Sequence, residues 1–322
     1  MMQSQPETVL VTGGAGFIGS HLCQMLVNDG IRVINVDNYN NFYNPVIKNN
    51  NIKSLLGDSE RFVDMRVDIT HQEALAKVFA EWGNEIELVV HLAAKAGVRP
   101  SLEDPSGYLE TNVTGTLNLL EQMRHYDINR LIFASSSSVY GNRTDPPFRE
   151  DQDISKPISP YAATKAMGET LLHTYSHLYG IQMVLLRFFT VYGPRQRPDL
   201  AIHTFTKKIH AGQSITLFGD GKTQRDYTYI EDILQGIRGA MAYTATPFEI
   251  FNLGESQPIF LDQLIQLLED LLGKKAQIQR EPLQPGDVQM TCADISKARQ
   301  WLGYAPQTPI EHGLEKFVKW YR

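Results

Sequence analysis

Three glycines spaced three apart, Gly13, Gly16 and Gly19, follow directly on the apolar, β-branched run Thr8–Thr12 and open an apolar-periodic stretch from Phe17 to Val27. A strand that passes through such a turn into a helix brings backbone amides and a helix N-terminus up to a pyrophosphate with no Cβ in the way. The same glycines could serve only to let strand and helix pack tightly. Asp37 adds a second constraint. It ends the run Arg32–Asp37, eighteen residues after Gly19, where a carboxylate can accept hydrogen bonds from the adenosine ribose hydroxyls of NAD and repels a 2′-phosphate. Asn38 and Tyr39 follow it rather than an arginine, which favours NAD over NADP; a turn or helix-capping role is the plain alternative for Asp37. Asp68 and Ile69 close a further strand-like run and could hold an adenine, the carboxylate at its edge and the aliphatic chain at its face.

Strand-like runs at Phe62–Asp68, Leu88–Leu92, Arg130–Ala134 and Met183–Phe189 alternate with helix-like stretches. That rhythm predicts an α/β fold, a doubly wound parallel sheet of the Rossmann type covered on both faces, over residues 1–186. Residues 225–252 resume it and are expected to return to that sheet. Residues 187–224 and 253–322 are expected to form a smaller C-terminal α/β lobe that binds substrate: the first is rich in Gly and Pro, and the second contains an amphipathic helix at Leu261–Leu272.

With 322 residues, 42% hydrophobic and 20% charged, the chain can bury the core that two lobes need. Its net charge of -6 and the absence of a basic run exclude a nucleic-acid footprint. No stretch of about 18 apolar residues predicts a membrane span, and the N-terminus lacks the pattern of an export signal. Cys23 and Cys292 lie far apart outside any CxxC spacing, so neither a disulfide framework nor a metal site is expected and a reducing, cytoplasmic location fits.

Tyr161 and Lys165 stand four apart in YAATK, on one face of a helix. A tyrosine is a poor base at its usual pKa of about 10. A neighbouring ammonium, together with a cationic nicotinamide, is expected to lower that value and make the pair an acid/base for an alcohol. Taken alone, a Tyr/Lys pair at this spacing is more often a surface or packing feature. The run Ser135–Ser138 emerges at the end of the strand-like segment Arg130–Ala134, where α/β ligands bind.

Taken together, TGGAGFIG at 12–19, HLAA at 91–94, Asn112, SSSSVYG at 135–141, YAATK at 161–165 and RDYTYIED at 225–232 resemble the extended short-chain dehydrogenase/reductase family. The resemblance covers nearly the whole chain. It implies a catalytic trio of Ser136, Tyr161 and Lys165, with NAD held by Gly13, Gly16, Phe17, Ile18, Gly19, Asp37, Asn38, Asp68, Ile69, Leu92, Ala93, Ala94, Asn112, Tyr161 and Lys165. Within the family the chain is most similar to nucleotide-sugar epimerases, and among them to UDP-glucuronate 4-epimerases, through AGVRPSLEDP at 96–105, RFFTVYGP at 187–194, RPDLA at 197–201, LFGDGKTQRDY at 217–227 and QPGDV at 284–288. The same resemblance implies UDP contacts from Leu217, Phe218, Arg225 and Asp287, and a homodimer packed through the helices carrying Asn112 and Tyr161.

Arg195-Gln196 stands where glucuronate enzymes carry Trp-Gly, and Lys95 and Pro100 where they carry Gln and Tyr, which leaves neutral UDP-hexoses open as substrates. For a sugar with a C6 carboxylate, Ser138, Thr190 and Arg197 are the candidates to hold it, and Ser137 is expected to contact the substrate. A 4,6-dehydratase is the rival enzyme, but those relatives carry Asp-Glu where this chain has Ser137-Ser138. A non-enzymatic NAD sensor is the rival outside enzymes, and such proteins lose the Tyr/Lys pair that is present here.

Overall fold

The computed structural model describes residues 6–55, 57, 60–282 and 288–322. The strands are β1 (Thr8–Thr12), β2 (Arg32–Val36), β3 (Phe62–Met65), β4 (Leu88–His91), β5 (Arg130–Ser136), β6 (Gln182–Phe188), β7 (Thr190–Tyr192), β8 (Ser214–Phe218), β9 (Gln224–Tyr229), β10 (Phe248–Leu253), β11 (Pro258–Phe260) and β12 (Gln277–Glu281). The helices are α1 (Phe17–Asn28), α2 (Pro45–Ile52), α3 (Gln72–Trp82), α4 (Val98–Glu103), α5 (Pro105–Leu109), α6 (Gly115–His125), α7 (Pro160–Tyr179), α8 (Ala201–His210), α9 (Ile230–Ala242), α10 (Leu261–Leu272), α11 (Ser296–Leu302) and α12 (Ile310–Tyr321).

Seven strands pair in the order β10-β6-β5-β4-β1-β2-β3, every ladder parallel. Such a sheet must be covered on both faces, and β1 shows how: all five residues of TVLVT are buried. Val9 and Val11 join one apolar cluster, with Leu22 and Ile237, while Leu10 joins the other, with Val78 and Leu172, as the alternation of side chains along a strand requires. Strand order reverses between β1 and β4, and the crevice at the carboxyl ends of those strands is where such sheets take ligands.

Residues 225–252 divide in a way the sequence rhythm does not foretell. Helix α9 packs against β5 and β6 and β10 becomes an edge of the large sheet, but β9 belongs to a three-stranded sheet, β11-β9-β7. A separate two-stranded sheet pairs β12 with β8. The predicted helix at Leu261–Leu272 forms as expected: Gln263 Oε1 accepts the Phe260 amide at 3.0 Å at its start, and Gly273, at φ 67°, ends it. Two strand ends also differ. β3 stops at Met65, leaving Asp68 in a loop, and β5 runs on to Ser136, which places that serine on the sheet itself. No helix among the described residues is long and apolar enough to cross a membrane.

Candidate active site

The turn after β1 is shaped by sterics. Gly13 sits at φ 75°, and a Cβ there would lie 2.8 Å from the Ala93 amide nitrogen; at Gly19 a Cβ would collide with the Gly13 carbonyl. Helix α1 therefore starts with no side chain capping its amides, which leaves its N-terminus open to the cleft. Asp37 is 5% exposed. Its carboxylate accepts from the Ala15 amide at 3.2 Å and the Tyr39 amide at 2.8 Å, so it braces the glycine turn and also lines the cleft.

That cleft encloses about 450 Å³. Gly13, Gly16, Phe17, Ile18 and Gly19 line it together with Asp37, Asn38, Ile69, Leu92, Ala93 and Ala94. Further along its walls stand Ser136, Ser137, Ser138, Tyr161, Lys165, Thr190 and Arg197. Asp68 is used differently: its carboxylate accepts from Asn38 Nδ2 at 2.7 Å and from the Thr70 amide and hydroxyl at 2.9 and 2.7 Å, so it shapes the loop beside the cleft. Burial raises its pKa, and those hydrogen bonds more than offset it, holding the carboxyl below its usual value.

Helix α7 carries the pair Tyr161 and Lys165. Pro160 opens the helix, and the Ser159 side chain caps it by accepting the Ala162 amide at 3.1 Å. Ser136 caps the short 3₁₀ turn Ser137–Tyr140, its Oγ accepting the Ser138 amide at 3.2 Å and lying 2.8 Å from Ser138 Oγ. Its hydroxyl also favours the ionised form of the Tyr161 phenol. Lys165 Nζ donates to the Ala134 carbonyl at 2.7 Å.

On balance the chain's own groups do not lower the Tyr161 pKa, and the nicotinamide charge is a separate contribution. Burial raises the Tyr161 pKa, outweighing the Ser136 hydroxyl and the charge of Arg197, which both favour the phenolate. Burial likewise pushes Lys165 down, to about 8, against the attraction of Glu169. A desolvated phenolate costs more than these partners return.

Asn112, 3% exposed, stands behind the cleft on a π-helical turn, Glu110–Thr114. Its Oδ1 accepts the Lys95 amide at 2.8 Å, and its Nδ2 donates to the Lys95 carbonyl and to Thr164 Oγ1 at 2.9 and 3.0 Å. It ties the segment after β4 that carries Ala93 and Ala94 to α7.

A second cavity of about 240 Å³ shares Val98, Ser137, Ser138 and Thr190 with the first and is lined by Arg225. The two carboxylates near Arg225 in sequence are engaged by backbone. Asp226 accepts from the amides of Glu255, Ser256 and Ala293, and Asp232 from those of Gln307 and Thr308. Leu217 is 1% exposed and packs in the core, whereas Phe218 lies half-buried with the Arg99 guanidinium 4.1 Å from its ring centre. Asp287, with Gln284–Gly286, lies outside the described residues.

Residues 10–317 match the family model described as GDP-mannose 4,6 dehydratase. UDP-glucuronate 4-epimerase of Thermodesulfobacterium geofontis is 45% identical over 97% of this chain and 95% of its own. Among solved structures, the UDP-glucuronic acid 4-epimerase of Bacillus cereus, in complex with UDP-glucuronic acid and NAD, superposes with a TM-score of 0.91 at 39% identity over 97% and 98% of the two chains. UDP-glucose 4-epimerase of Thermotoga maritima superposes with a TM-score of 0.88 at 33% identity, covering 98% of each. The chain belongs to the NAD-dependent nucleotide-sugar epimerase/dehydratase family. The resemblance drawn from its motifs therefore holds, as does the α/β sheet they imply.

In this family member the cleft fits a dinucleotide on its own geometry: an uncapped helix N-terminus, a glycine turn with no room for side chains, and a carboxylate at the end of β2. Sequence reasoning missed a further wall. Phe42 and Tyr43, from the segment between β2 and α2, and Lys48 on α2 also line the cleft. Lys48 Nζ lies 3.4 Å from Asp37 and 3.3 Å from Asn40 Oδ1, 5.4 Å from the Tyr43 ring centre and 6% exposed. The substitutions Arg195-Gln196 fall behind the walls: Gln196 is 1% exposed, and its Nε2 donates to the Val191 carbonyl at 3.1 Å.

Proposed function

We propose that the chain is an NAD-dependent UDP-glucuronate 4-epimerase that converts UDP-glucuronate and UDP-galacturonate into one another. The observation that carries this reading is the placement of Arg197. Its side chain is 16% exposed on the wall that also holds Tyr161, Ser138 and Thr190, where a C6 carboxylate would meet a guanidinium and two hydroxyls. Nε and Nη2 are engaged by Asp199 at 3.0 and 2.6 Å, and Nη2 also by the Ala96 carbonyl at 3.1 Å. Nη1 is left to donate a charge-assisted hydrogen bond to an acid.

Bound NAD supplies the hydride acceptor and, once reduced, the donor. The chain's own residues do the rest. Tyr161 as phenolate takes the proton of the C4 hydroxyl as the C4 hydride leaves, and Ser136 donates a hydrogen bond to the developing carbonyl oxygen. Arg225 holds the diphosphate while the keto sugar turns to present its other face, and Tyr161 returns the proton. Because the keto sugar is a β-keto acid, Ser138, Thr190 and Arg197 must keep the bond to the carboxyl carbon out of line with the carbonyl π system. Ser137-Ser138 offers no acid to expel a C6 hydroxyl, which disfavours dehydration.

Asp199 supports a second reading. It already neutralises Arg197 from one side, which suits a neutral UDP-hexose. The experiment compares kcat/KM for UDP-glucuronate and UDP-glucose in the native protein and in Arg197→Met. One charge-assisted hydrogen bond corresponds to about 10- to 150-fold in affinity, so the substitution is expected to depress the acid selectively by that order and to release UDP-pentose. Equal loss on both sugars, or a native preference for UDP-glucose, would favour the neutral substrate.

The same reading includes a homodimer. Leu109 on α5, Leu117 on α6, and Met167 and Leu178 on α7 are 46%, 38%, 48% and 61% exposed, an apolar helical face suited to a second copy.

A further inference from the structure

One turn beyond Lys165, Glu169 is 4% exposed, and Arg187 on β6 is 2% exposed. They form a two-point ion pair, Nε to Oε1 at 2.9 Å and Nη2 to Oε2 at 2.7 Å. A pair buried this deeply adds little net stability, because desolvation offsets the attraction. What it provides is a charge held in one place. Glu169 Oε1 also accepts from Ser135 Oγ at 2.5 Å, on the strand residue just before Ser136. Arg187 Nη1 donates to Tyr140 Oη at 2.9 Å, at the end of the turn that Ser136 caps, and Tyr140 Oη donates to Asn252 Oδ1 on β10 at 2.6 Å. The carboxylate thus joins the helix of Tyr161 and Lys165 to the strand end of Ser136.

We propose that Glu169, clamped by Arg187, is a positioning residue for this centre: it ties α7 to the end of β5 and supplies the negative charge that keeps Lys165 an ammonium. The proposal rests on the acid–base reading of Tyr161 given above. Lys165 has Tyr161 and Glu169 on its own helix, the Ala134 carbonyl and the Phe133 ring, 4.9 Å away, on β5, and the already paired Arg187 on β6. His91 on β4 interacts with it but is held neutral by burial. Glu169 is the charged group that raises the Lys165 pKa against burial.

The test uses the NAD-loaded protein. Glu169→Gln removes the charge and keeps the shape. The double variant Glu169→Gln/Arg187→Met also removes the counter-charge, so that no buried cation is orphaned. Lys165 acts as a cation, so activity is lost as pH rises through its pKa. In both variants the alkaline fall of kcat is expected to begin about one pH unit or more below that of the native protein. A second readout needs no turnover, namely stability to urea as a function of pH, with Lys165→Met as reference. Folded Lys165 binds fewer protons than unfolded between about pH 8 and about pH 10.4, so native stability rises across that window. Loss of the Glu169 charge should start the rise about a unit lower, and Lys165→Met should abolish it.

If neither the alkaline limb nor the urea profile moves, Glu169 is an ordinary core residue and the proposal is overturned. If the native protein turns over no UDP-sugar, the acid–base reading fails, yet the urea profiles still decide the charge relation. Should both Glu169 variants fail to fold, Ser135→Ala cuts only the tie to β5. It is expected to lower kcat about tenfold with the alkaline limb unmoved, and an unchanged kcat would refute the tie.

Discussion

The Arg197 guanidinium favours the ionised form of the Tyr161 phenol, and the two side chains line the same cleft. In the proposed cycle Tyr161 must lose its proton to act, and the cationic nicotinamide of bound NAD lowers its pKa against burial, so activity is lost as pH falls through that value. Burial has already raised that value, so removing Arg197 raises it further. Arg197→Met is expected to move the acid limb of kcat/KM to higher pH, and Arg197→Lys to restore part of the shift. A limb that stays in place with either sugar would mean that Arg197 does not act on Tyr161.

Lys48 makes two contacts of 3.3 and 3.4 Å, long for an ammonium with three donors. It is expected to donate to an oxygen of the bound dinucleotide. Lys48→Met should weaken NAD retention about 10- to 150-fold while NAD stays preferred over NADP, because Asp37 is unchanged. Denaturing the purified proteins and assaying the released nucleotide measures both quantities. Full occupancy in the variant, or NADP as the main native species, would contradict the assignment.

The apolar face on α5, α6 and α7 predicts a dimer at micromolar concentration. Met167→Glu should leave a folded monomer of 36.4 kDa by light scattering. A native monomer under the same conditions would rule out this face as an interface.

His91, 2% exposed, sits between two hydroxyls, with Nδ1 2.6 Å from Thr12 Oγ1 and Nε2 2.9 Å from Thr116 Oγ1. Thr116 donates its own proton to the Asn112 carbonyl, so Nε2 carries the ring proton. Burial pushes its pKa down to about 3. The unfolded chain takes up a proton below about pH 6.5 that the folded chain refuses, so stability is lost as pH falls from there toward 3. Urea midpoints between these limits should fall more steeply in the native protein than in His91→Asn; parallel slopes would show that His91 is not the group responsible.

What the sequence disclosed was local. The glycine turn, Asp37 and the Tyr161/Lys165 spacing each lie within one strand–turn–helix unit or one helical turn, so periodicity and residue type suffice. Lys48 was hidden because it lies eleven positions beyond Asp37 across a stretch without clear periodicity. The segment doubles back only through Asn40, Tyr43 and the helix that Asn44 caps by accepting the Val46 amide. Glu169 stood in plain view four residues past Lys165, but its partner Arg187 comes from β6, and that pairing is a tertiary fact. The placement of β9 likewise depends on register with β7 and β11. The burial that raises the Tyr161 pKa is likewise a tertiary fact.

Ser137, Ser138 and Thr190 belong to both cavities, so the passage between nucleotide and catalytic centre is walled by short hydroxyls that both donate and accept. On the proposed reading, a sugar ring swivelling there would exchange one hydroxyl partner for another of the same kind, whichever way its C4 oxygen points. Neither epimer would then be trapped as the tighter ligand, and the direction of net conversion would be left to the supply and removal of the two sugars around the protein.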